Sequence, residues 1–183
     1  MSLIDENSGW SCIWKNTNSP NYNDRPIGQD VSLLVIHCIS LPEAKYGSSN
    51  VEDFFLNKLD TSKNLEFTSL SKVKVSAHFF IKRTGEIVQF VSVYDRAWHA
   101  GKSIYNNVKN CNDFSIGVEL EGVDYDLFQS KQYDSLVILT KELQRIFPLI
   151  SNNRIVGHED IAPGRKTDPG SGFDWGYYLD RLS

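Results

Sequence analysis

The chain has 183 residues, with 19 Lys and Arg against 23 Asp and Glu, so its formal net charge is −4. This length is typical of one domain with one hydrophobic core, and we expect residues 1–183 to form a single domain. Hydrophobic residues make up 40% and charged residues 23% of the chain, which excludes an intrinsically disordered protein. The acidic balance disfavours a nucleic-acid partner, because phosphate-binding domains carry a surplus of basic side chains.

Three cysteines, Cys12, Cys38 and Cys111, are widely spaced and include no CxxC pair. This spacing fits neither a disulfide scaffold nor a zinc finger, and it favours a reducing compartment. No apolar run approaches the roughly 20 residues that cross a bilayer, and the first residues lack the basic start and apolar stretch of a secretory signal. We therefore expect a cytoplasmic protein with no membrane partner.

The predicted regular structure begins after a turn-rich segment that ends near Gly28. Residues 31–37, VSLLVIH, are apolar on both alternating faces, which is typical of a strand that is covered on both sides of a sheet. Ser49 and Glu52 have the spacing of a capping box and predict a short helix that begins there. The polar residues 58–72 predict a long loop.

The second half of the chain alternates strand and helix patterns. Two strand-like segments, 73–82 and 86–93, flank the sequence RTG and predict a hairpin. Along residues 114–121, FSIGVELE, one face is apolar and the other carries Glu119 and Glu121. Further patterns predict a helix over 130–147, a short strand over 154–156 and a helix in 173–182. The prediction is an α/β fold in which helices flank a central mixed sheet.

Two histidines lie where predicted strands end, which is a common place for functional residues in sheet-based enzymes. His37 closes the most apolar strand, and His158 opens a loop, GHEDIAPGRKTDPG, that also carries Asp168. Two imidazoles and one carboxylate leave the fourth position of tetrahedral zinc open, which is typical of a catalytic site. His37, His158 and Asp168 could supply that set, and hydrogen-bonded structural histidines are the alternative.

Five ordered segments resemble a known family: LLVIHCISLP, VSAHFFIKRTGEIVQFV, RAWHAG, CNDFSIGVELEG and GHEDIAPGRKTDPGSGFDW. They are similar to the zinc-dependent N-acetylmuramoyl-L-alanine amidases, which are related to peptidoglycan-recognition proteins. The closest likeness is to the AmpD-like branch, the 1,6-anhydro-N-acetylmuramoyl-L-alanine amidases that recycle cell-wall fragments. The resemblance extends from Ser19 to Trp175, and its order in several blocks makes it specific.

The resemblance implies a zinc cleft at the strand ends, with His37, His158 and Asp168 as the metal ligands. It also implies that Glu119 is the general base and that Lys166 stabilises the transition state. These roles meet the needs of amide hydrolysis, because zinc polarises the carbonyl and lowers the pKa of water to about 7. A carboxylate must then accept and return a proton, and a fixed ammonium stabilises the developing oxyanion.

Several assignments stay open at this stage. Glu121 shares a strand face with Glu119 and is the alternative base. Lys74 stands where relatives often carry an arginine that binds the carboxylates of the stem peptide. Trp98 could stack on a sugar or lie in the core, and the neighbouring His99 could line the cleft or be structural. We name Trp98, Lys74 and His99 as candidates for substrate binding.

The expected function is therefore hydrolysis of the amide bond between N-acetylmuramic acid, in its 1,6-anhydro form, and L-alanine. The expected cofactor is Zn²⁺, the expected partner is a small muropeptide, and the expected state is a monomer. One alternative is an amidase that acts on intact peptidoglycan. Another is a peptidoglycan-recognition module without catalysis, but such binders typically lack a zinc ligand, whereas all three candidate ligands are present here.

Overall fold

The structure, a computed structural model, describes residues 2–183. The strands are β1 (Lys15–Asn16), β2 (Tyr22–Asn23), β3 (Leu33–Ile39), β4 (Phe79–Ile81), β5 (Ile87–Gln89), β6 (Arg96–Ala97), β7 (Ile104–Tyr105), β8 (Val108–Lys109), β9 (Ser115–Glu121) and β10 (Ile155–Gly157). The α-helices are α1 (Asn50–Phe55), α2 (Ser130–Ile146), α3 (His158–Ile161) and α4 (Trp175–Asp180). Short 3₁₀ helices span Leu65–Leu70, Cys111–Asp113 and Asn152–Arg154.

Six strands form the main sheet in the order β1-β5-β4-β9-β3-β10. The longest strands, β3 and β9, are parallel neighbours at its centre, and β4 and β10 continue the parallel arrangement on either side. The β5 strand is antiparallel to β4, as the predicted hairpin requires, and β1 is parallel to β5. The predicted α/β fold with a central mixed sheet is confirmed.

The two faces of the sheet differ in what covers them. On one face, alternate side chains of β3 and β9 pack with α2 and α4 in a large core that includes Leu34, Ile36, Ile116, Val118, Leu120, Leu136, Leu139, Leu143 and Tyr178. On the other face, one cluster joins Phe80 of β4 to α1, and a second joins Leu33 and Val35 to Ile161. His37 and Glu119 belong to this second face by alternation along their strands.

The start of α1 agrees with the prediction, but the predicted capping box is wrong. Ser49 precedes the helix without a side-chain cap, and its Oγ lies 2.8 Å from Asp53 Oδ2, to which it donates. The Glu52 carboxylate instead forms ion pairs of 2.8 Å with both Lys15 and Lys82. These two ammonium groups, one on β1 and one directly after β4, hold Glu52 away from the helix end. Neither is close to Glu52 in sequence, so the local pattern could not predict this pairing.

The segment predicted as a long loop contains one turn of regular structure. Residues Leu65–Leu70 form a 3₁₀ helix, and Asn64 caps it by accepting a hydrogen bond from the Glu66 amide at 3.0 Å. Phe67, only 2% exposed, anchors this turn in the fold. The segment is therefore an ordered wall beside the second face of the sheet.

The expectations about cysteines and membranes can also be compared with the structure. Cys12, Cys38 and Cys111 are free thiols, and Cys111 is buried. Burial raises the pKa of the Cys38 thiol far above its ordinary value, which disfavours the thiolate that a nucleophilic cysteine needs. Among residues 2–183, no helix combines the length and the apolar character that crossing a membrane requires.

A buried carboxylate on α2 anchors the N-terminal segment. Glu142 Oε1 accepts hydrogen bonds from the backbone amides of Leu3 at 2.8 Å and Ile4 at 3.1 Å, and Arg145 pairs with it at 3.1 Å. Burial alone would raise the pKa of Glu142, but these hydrogen bonds outweigh burial and lower it to about 2. The ionised form of Glu142 therefore stabilises the folded state.

We expect Glu142→Gln to lower the free energy of unfolding by about 2 kcal/mol at pH 7, because a carboxylate that folding makes more acidic stabilises the fold while it is ionised. The effect should be complete above the ordinary glutamate pKa of 4.5 and should decline as the pH falls towards 2. Urea unfolding at pH 7 and pH 3 measures both values. Asp30→Asn, at an exposed loop position, is the matched control. An equal effect of Glu142→Gln at the two pH values would contradict this account.

Candidate metal centre and active site

Three side chains that are distant in sequence converge at the end of the central strands. His37 Nδ1 lies 2.9 Å from His158 Nδ1, and Asp168 Oδ2 lies 3.1 Å from each of these nitrogens. Zinc–ligand distances of about 2.0–2.1 Å separate tetrahedral ligand atoms by about 3.3 Å, so this triangle has the size of a zinc site. His37, His158 and Asp168 also form the group of potential metal ligands in residues 2–183 whose donor atoms lie within 4.8 Å of one another.

The position of each ligand follows from a local feature of the fold. His37 belongs to β3, where the four residues before it in the strand are buried. His158 is the first residue of α3, directly after β10, which pairs with β3. Asp168 follows ten residues later on the loop, and its carbonyl accepts a hydrogen bond of 2.9 Å from the Glu159 amide. This bond ties the loop back to the start of α3.

The protonation states of His37 and Asp168 suit a cation. A ligand must offer a lone pair, which requires a neutral imidazole or an ionised carboxylate. Burial lowers the pKa of His37 to about 4. Burial alone would raise the pKa of Asp168, but its close interactions with His158 and His37 outweigh burial and hold that pKa well below its ordinary value. The donor set therefore fits a divalent metal.

The His158 ring is oriented by a backbone carbonyl. Its Nε2 lies 3.1 Å from Ala100 O, which can only accept, so Nε2 carries the proton and Nδ1 is free to face the other ligands. Arg165 holds the same stretch of backbone, because its Nη2 donates to Ala100 O and to Lys102 O, each at 2.7 Å. This placement gives Arg165 a structural role that its position in the sequence did not reveal.

Glu119 lies beside the metal ligands with a free carboxylate oxygen. The parallel register pairs Glu119 of β9 with His37 of β3, so the two side chains share a face. Glu119 Oε2 is buried and has no hydrogen-bond partner among residues 2–183. Burial first, and repulsion by Asp168 second, raise the pKa of Glu119 well above its ordinary value, while Lys166 lowers it. A carboxylate with a buried and unpartnered oxygen next to a candidate metal site is a candidate proton acceptor.

Glu121, the alternative base, is already engaged in the fold. One of its oxygens accepts a hydrogen bond from the Gly47 amide, and the other accepts from the Arg83 amide at 3.0 Å. The side chain is also 97% buried, since only 3% of its surface is exposed. Glu121 therefore joins two loops to the end of β9, and this role explains the second carboxylate on that face.

The site opens into a cleft with two recesses. One, of about 270 Å³, contains Glu119 and His158 and is walled by apolar side chains that include Phe54, Leu70 and Val73. The other, of about 440 Å³, extends past Ser40 and Thr167 to Glu43 and Asp124. Four residues border both recesses: Cys38, Ile39, Lys166 and Asp168. Lys166 is exposed at this junction, beside the metal ligands.

The three candidates for substrate binding lie in different surroundings. Trp98 is partly buried, and its Nε1 donates to Asn23 Oδ1 at 2.6 Å. Lys74 is exposed in a small surface recess that adjoins the apolar wall of the cleft. His99 borders the cleft, but both its ring nitrogens lie within hydrogen-bond distance of protein groups, His37 Nε2 at 2.9 Å and Ser115 Oγ at 3.1 Å. Substrate contacts for all three stay predictions.

Two residues of the site escaped the sequence analysis. Ser115 contacts His99, and Gly117 lies under the His99 ring, so closely that an added Cβ would be 2.4 Å from His99 Cγ. A glycine inside a strand often marks the close approach of another group, and the glycine of SIGVELE carries that signal. The identity of the approaching group depends on the tertiary structure.

Comparison with known proteins identifies the family. Residues 27–171 match the family described as N-acetylmuramoyl-L-alanine amidase. The chain is 49% identical over 164 residues to the 1,6-anhydro-N-acetylmuramyl-L-alanine amidase AmpD of Haemophilus influenzae, covering 90% of this chain and 89% of that protein. The chain belongs to the N-acetylmuramoyl-L-alanine amidase family, and within it to the AmpD-like enzymes.

Solved structures agree with this assignment. A crystal structure of a selenomethionine AmpD derivative superimposes with a TM-score of 0.95 at 42% identity, and the match covers 99% of each chain. A complex of the Escherichia coli amidase AmiD with anhydro-N-acetylmuramic acid-L-Ala-D-γ-Glu-L-Lys matches with a TM-score of 0.61 at 28% identity, covering 86% of this chain and 60% of that one. The predicted family resemblance is confirmed.

The two glutamates of β9 should respond to substitution with opposite signs. Folding raises the pKa of Glu119, so its ionised form destabilises the metal-free fold above the ordinary glutamate pKa of 4.5. We expect Glu119→Gln to raise the free energy of unfolding of the metal-free protein at pH 7 by on the order of 1 kcal/mol, and this gain should vanish below pH 4.5. Glu121→Gln should instead lower that free energy by about 1–3 kcal/mol, because two backbone donors lose a charged acceptor.

Chemical denaturation of both variants at pH 7 and pH 4 measures these differences. Each glutamate serves as the control for the other, since both lie on the same face of one strand. If Glu119→Gln is less stable than the wild type at pH 7, the Glu119 carboxylate has a structural partner. That result would contradict the assignment of Oε2 as an oxygen without one.

Proposed function

We propose that this protein is a zinc-dependent amidase that cleaves the bond between 1,6-anhydro-N-acetylmuramic acid and L-alanine in cell-wall fragments. The observation that carries the proposal is the triangle of His37, His158 and Asp168 donor atoms beside the unpartnered carboxylate of Glu119. A purely structural cluster would not leave a buried carboxylate oxygen without a partner, because that arrangement costs stability. The AmpD enzyme of H. influenzae carries this activity in its name.

His37, His158 and Asp168 would hold the zinc ion through Nδ1, Nδ1 and Oδ2. When bound, zinc supplies Lewis-acid polarisation of the amide carbonyl and lowers the pKa of water to about 7. Two neutral imidazoles and one carboxylate leave a net charge of +1 on the site, which favours an anionic transition state. All three ligands border the cleft or lie directly behind it, so a substrate amide can approach them.

Glu119 would accept the proton of the attacking water and return it to the amine of L-alanine. Its raised pKa suits a group that must both accept and donate a proton near neutral pH. The free Oε2 faces no competing donor among the described residues, so the carboxylate can bind water without breaking an existing hydrogen bond. Glu121 lacks this freedom because both its oxygens serve backbone amides.

Lys166 would stabilise the oxyanion that forms when water adds to the carbonyl. Its ammonium lies at the junction of the two recesses, two residues before Asp168, and its charge acts on both Glu119 and His37. A cation fixed beside the reacting carbonyl contributes more in a partly desolvated cleft than in water. Proton transfer by Glu119 and charge stabilisation by Lys166 thus come from different elements of the fold, β9 and the loop after α3.

The shape of the cleft supports an elongated substrate whose reacting bond lies in the middle. Lys166 and Asp168 border both recesses, so a ligand that fills the two recesses passes the metal ligands with its central part. A muropeptide has this form, with a sugar on one side of the amide and a peptide on the other. The AmiD complex contains an anhydromuramoyl tripeptide, which is a ligand of this class.

The purified protein should bind one zinc ion per chain and release free stem peptide from an anhydromuropeptide. Chelation should abolish turnover, and added zinc should restore it, because the site provides the three donors of a catalytic metal. Elemental analysis and mass spectrometry of the products measure the two properties. Product formation at an unchanged rate in the fully chelated protein would disprove the proposal.

Substitution should separate the proposed roles of Glu119 and Lys166 from those of the metal ligands. We expect Glu119→Ala to reduce kcat by about 10²–10⁴-fold and Lys166→Ala by about 10²–10³-fold, with zinc content unchanged in both. Lys141→Ala, an exposed lysine on α2, should retain wild-type turnover. A Glu119→Ala variant with full turnover would transfer the proton acceptor to another group.

The second candidate function is hydrolysis of intact peptidoglycan. The family match over residues 27–171 favours it, since that family is described as N-acetylmuramoyl-L-alanine amidase without reference to an anhydro sugar. Parallel assays on anhydromuropeptides, on muropeptides with an unmodified sugar and on whole sacculi distinguish the two functions. The proposal requires the highest kcat/KM on the anhydro form. A cytoplasmic location and a monomeric state belong to the same proposal and are tested by cell fractionation and by light scattering.

A further inference from the structure

A row of hydrogen-bonded groups, formed by His37, His99 and Ser115, ends at a backbone carbonyl. It begins at His37 Nε2, the ring nitrogen that faces away from the candidate metal site. His37 Nε2 lies 2.9 Å from His99 Nδ1, and His99 Nε2 lies 3.1 Å from Ser115 Oγ. The Ser115 hydroxyl donates to Cys111 O at 2.6 Å. His37, His99 and Ser115 are 1%, 9% and 0% exposed, so the row lies inside the protein behind the metal site.

The direction of every hydrogen bond in this row follows from its last member. A carbonyl oxygen can only accept, so the single proton of the Ser115 hydroxyl points to Cys111 O. Ser115 Oγ must then accept from His99 Nε2. A buried neutral imidazole carries one N–H, which leaves the lone pair of His99 on Nδ1, and that lone pair accepts from His37 Nε2. In this arrangement His37 Nδ1 holds a lone pair, and this is the atom that faces His158 and Asp168. The Asp168 carboxylate, 3.1 Å away, favours a proton on that nitrogen when no metal is bound, so the row of hydrogen bonds acts against Asp168.

The two histidine ligands differ in how this state is reached. His158 donates directly to Ala100 O, and a carbonyl admits only one direction. His37 instead faces a second imidazole, which could donate or accept at Nδ1. Without Ser115, the row could reverse, and His37 would then carry its proton on the atom that must bind the metal. The Ser115 oxygen, which the His99 ring separates from His37, decides between these states.

The fold holds the His99 ring in place on several sides. Gly117 leaves the space that the ring fills, since an added Cβ would lie 2.4 Å from His99 Cγ and 2.6 Å from its Nδ1. The backbone amides of His99 and Ala100 donate to Asn112 Oδ1 at 3.2 and 2.8 Å. Ser115 and Gly117 lie four and two residues before Glu119 on the same face of β9. The β9 strand thus supplies the hydrogen-bond acceptor Ser115, the space above Gly117 that the His99 ring fills, and the carboxylate of Glu119.

We propose that Ser115 and His99 are positioning residues that hold His37 in the tautomer whose Nδ1 lone pair faces the metal site. The role in metal binding rests on the zinc site proposed above, whereas the tautomer itself is a property of the metal-free protein. Groups that hydrogen-bond to metal ligands typically change metal affinity by 10–100-fold when they are removed, because they fix the tautomer and orientation of the ligand.

The tautomers can be observed directly in the metal-free protein by long-range ¹H–¹⁵N correlation spectra of the imidazole rings. In the wild type, we expect His37, His99 and His158 each to carry the proton on Nε2. In Ser115→Ala, His37 and His99 should both become mixtures of tautomers, while His158 should not change. A wild-type His37 with its proton on Nδ1, or unchanged His37 and His99 tautomers in Ser115→Ala, would overturn the proposal.

Zinc affinity, measured by competition with a chelator, gives a second readout that does not use catalysis. His99→Leu removes the acceptor and should weaken zinc binding by about 10–100-fold. In His99→Asn the amide oxygen can occupy the position of Nδ1 and accept from His37, so affinity should stay within about threefold of wild type. Ser115→Ala should lie between these values, and Ser92→Ala, a serine of similar burial whose Oγ bonds Ser8 O, should match wild type.

The pattern across variants separates this inference from the proposed function. Equal weakening in His99→Leu and His99→Asn would reduce His99 to a space-filling role and refute the proposal. If His99→Leu does not fold, the zinc affinities of Ser115→Ala and Ser92→Ala are compared instead. Equal zinc affinity in these two variants refutes the proposal. A wild-type protein that binds no zinc would overturn the proposed function, and the tautomer spectra would still decide the arrangement of the row.

Discussion

The parallel pairing of β3 with β9 is the constraint on which the rest of the site depends. Its register sets His37 opposite Glu119, so a candidate metal ligand and a carboxylate lie side by side on one face of the sheet. The alternation of side chains then sends Ile36 and Val118 into the core on the other face. A slip of one residue in either strand would exchange these sets, placing the histidine or the glutamate in an apolar core and leucine or valine in the cleft. Core packing and the geometry of the site are therefore set by the same register.

The unequal covering of the two faces makes a polar site at the centre of the sheet possible. One face is buried beneath α2 and α4 in a continuous apolar core, which provides most of the hydrophobic stabilisation. The other face is covered by two separate clusters, and the polar side chains lie between them. Some of these groups oppose folding, as the raised pKa of Glu119 shows. Others, such as Glu121, are fully hydrogen-bonded and support the loops that border the cleft.

The side chains of the site are positioned in two ways, by strands of the sheet and by hydrogen bonds that hold α3 and the loop after it. His37 and Glu119 are positioned by strands, whereas His158 begins α3 and contacts the Ala100 carbonyl. Asp168 lies on the loop after α3, which a backbone hydrogen bond ties to the start of that helix. Arg165 holds that carbonyl, and Ser115 holds His99 behind His37. Both histidine ligands are thus oriented from behind by groups that are far away in sequence. The hydrogen bonds of this chain account for the orientation of both candidate ligands.

Much of this arrangement could be predicted from the sequence, because local patterns report which residues are buried and where strands end. The apolar alternation of SIGVELE, the periodicity of α2 and the Gly-containing hairpin each identified an element, and the histidines at strand ends indicated the ligands. The capping box failed because Lys15 and Lys82 attract Glu52 across the fold. The choice between Glu119 and Glu121 was open for the same reason, since only the tertiary structure brings the Gly47 and Arg83 amides to Glu121. Sequence alone determined the elements and the residue types of the site; the tertiary structure decided which polar groups find partners, because hydrogen bonds between distant segments leave no local pattern.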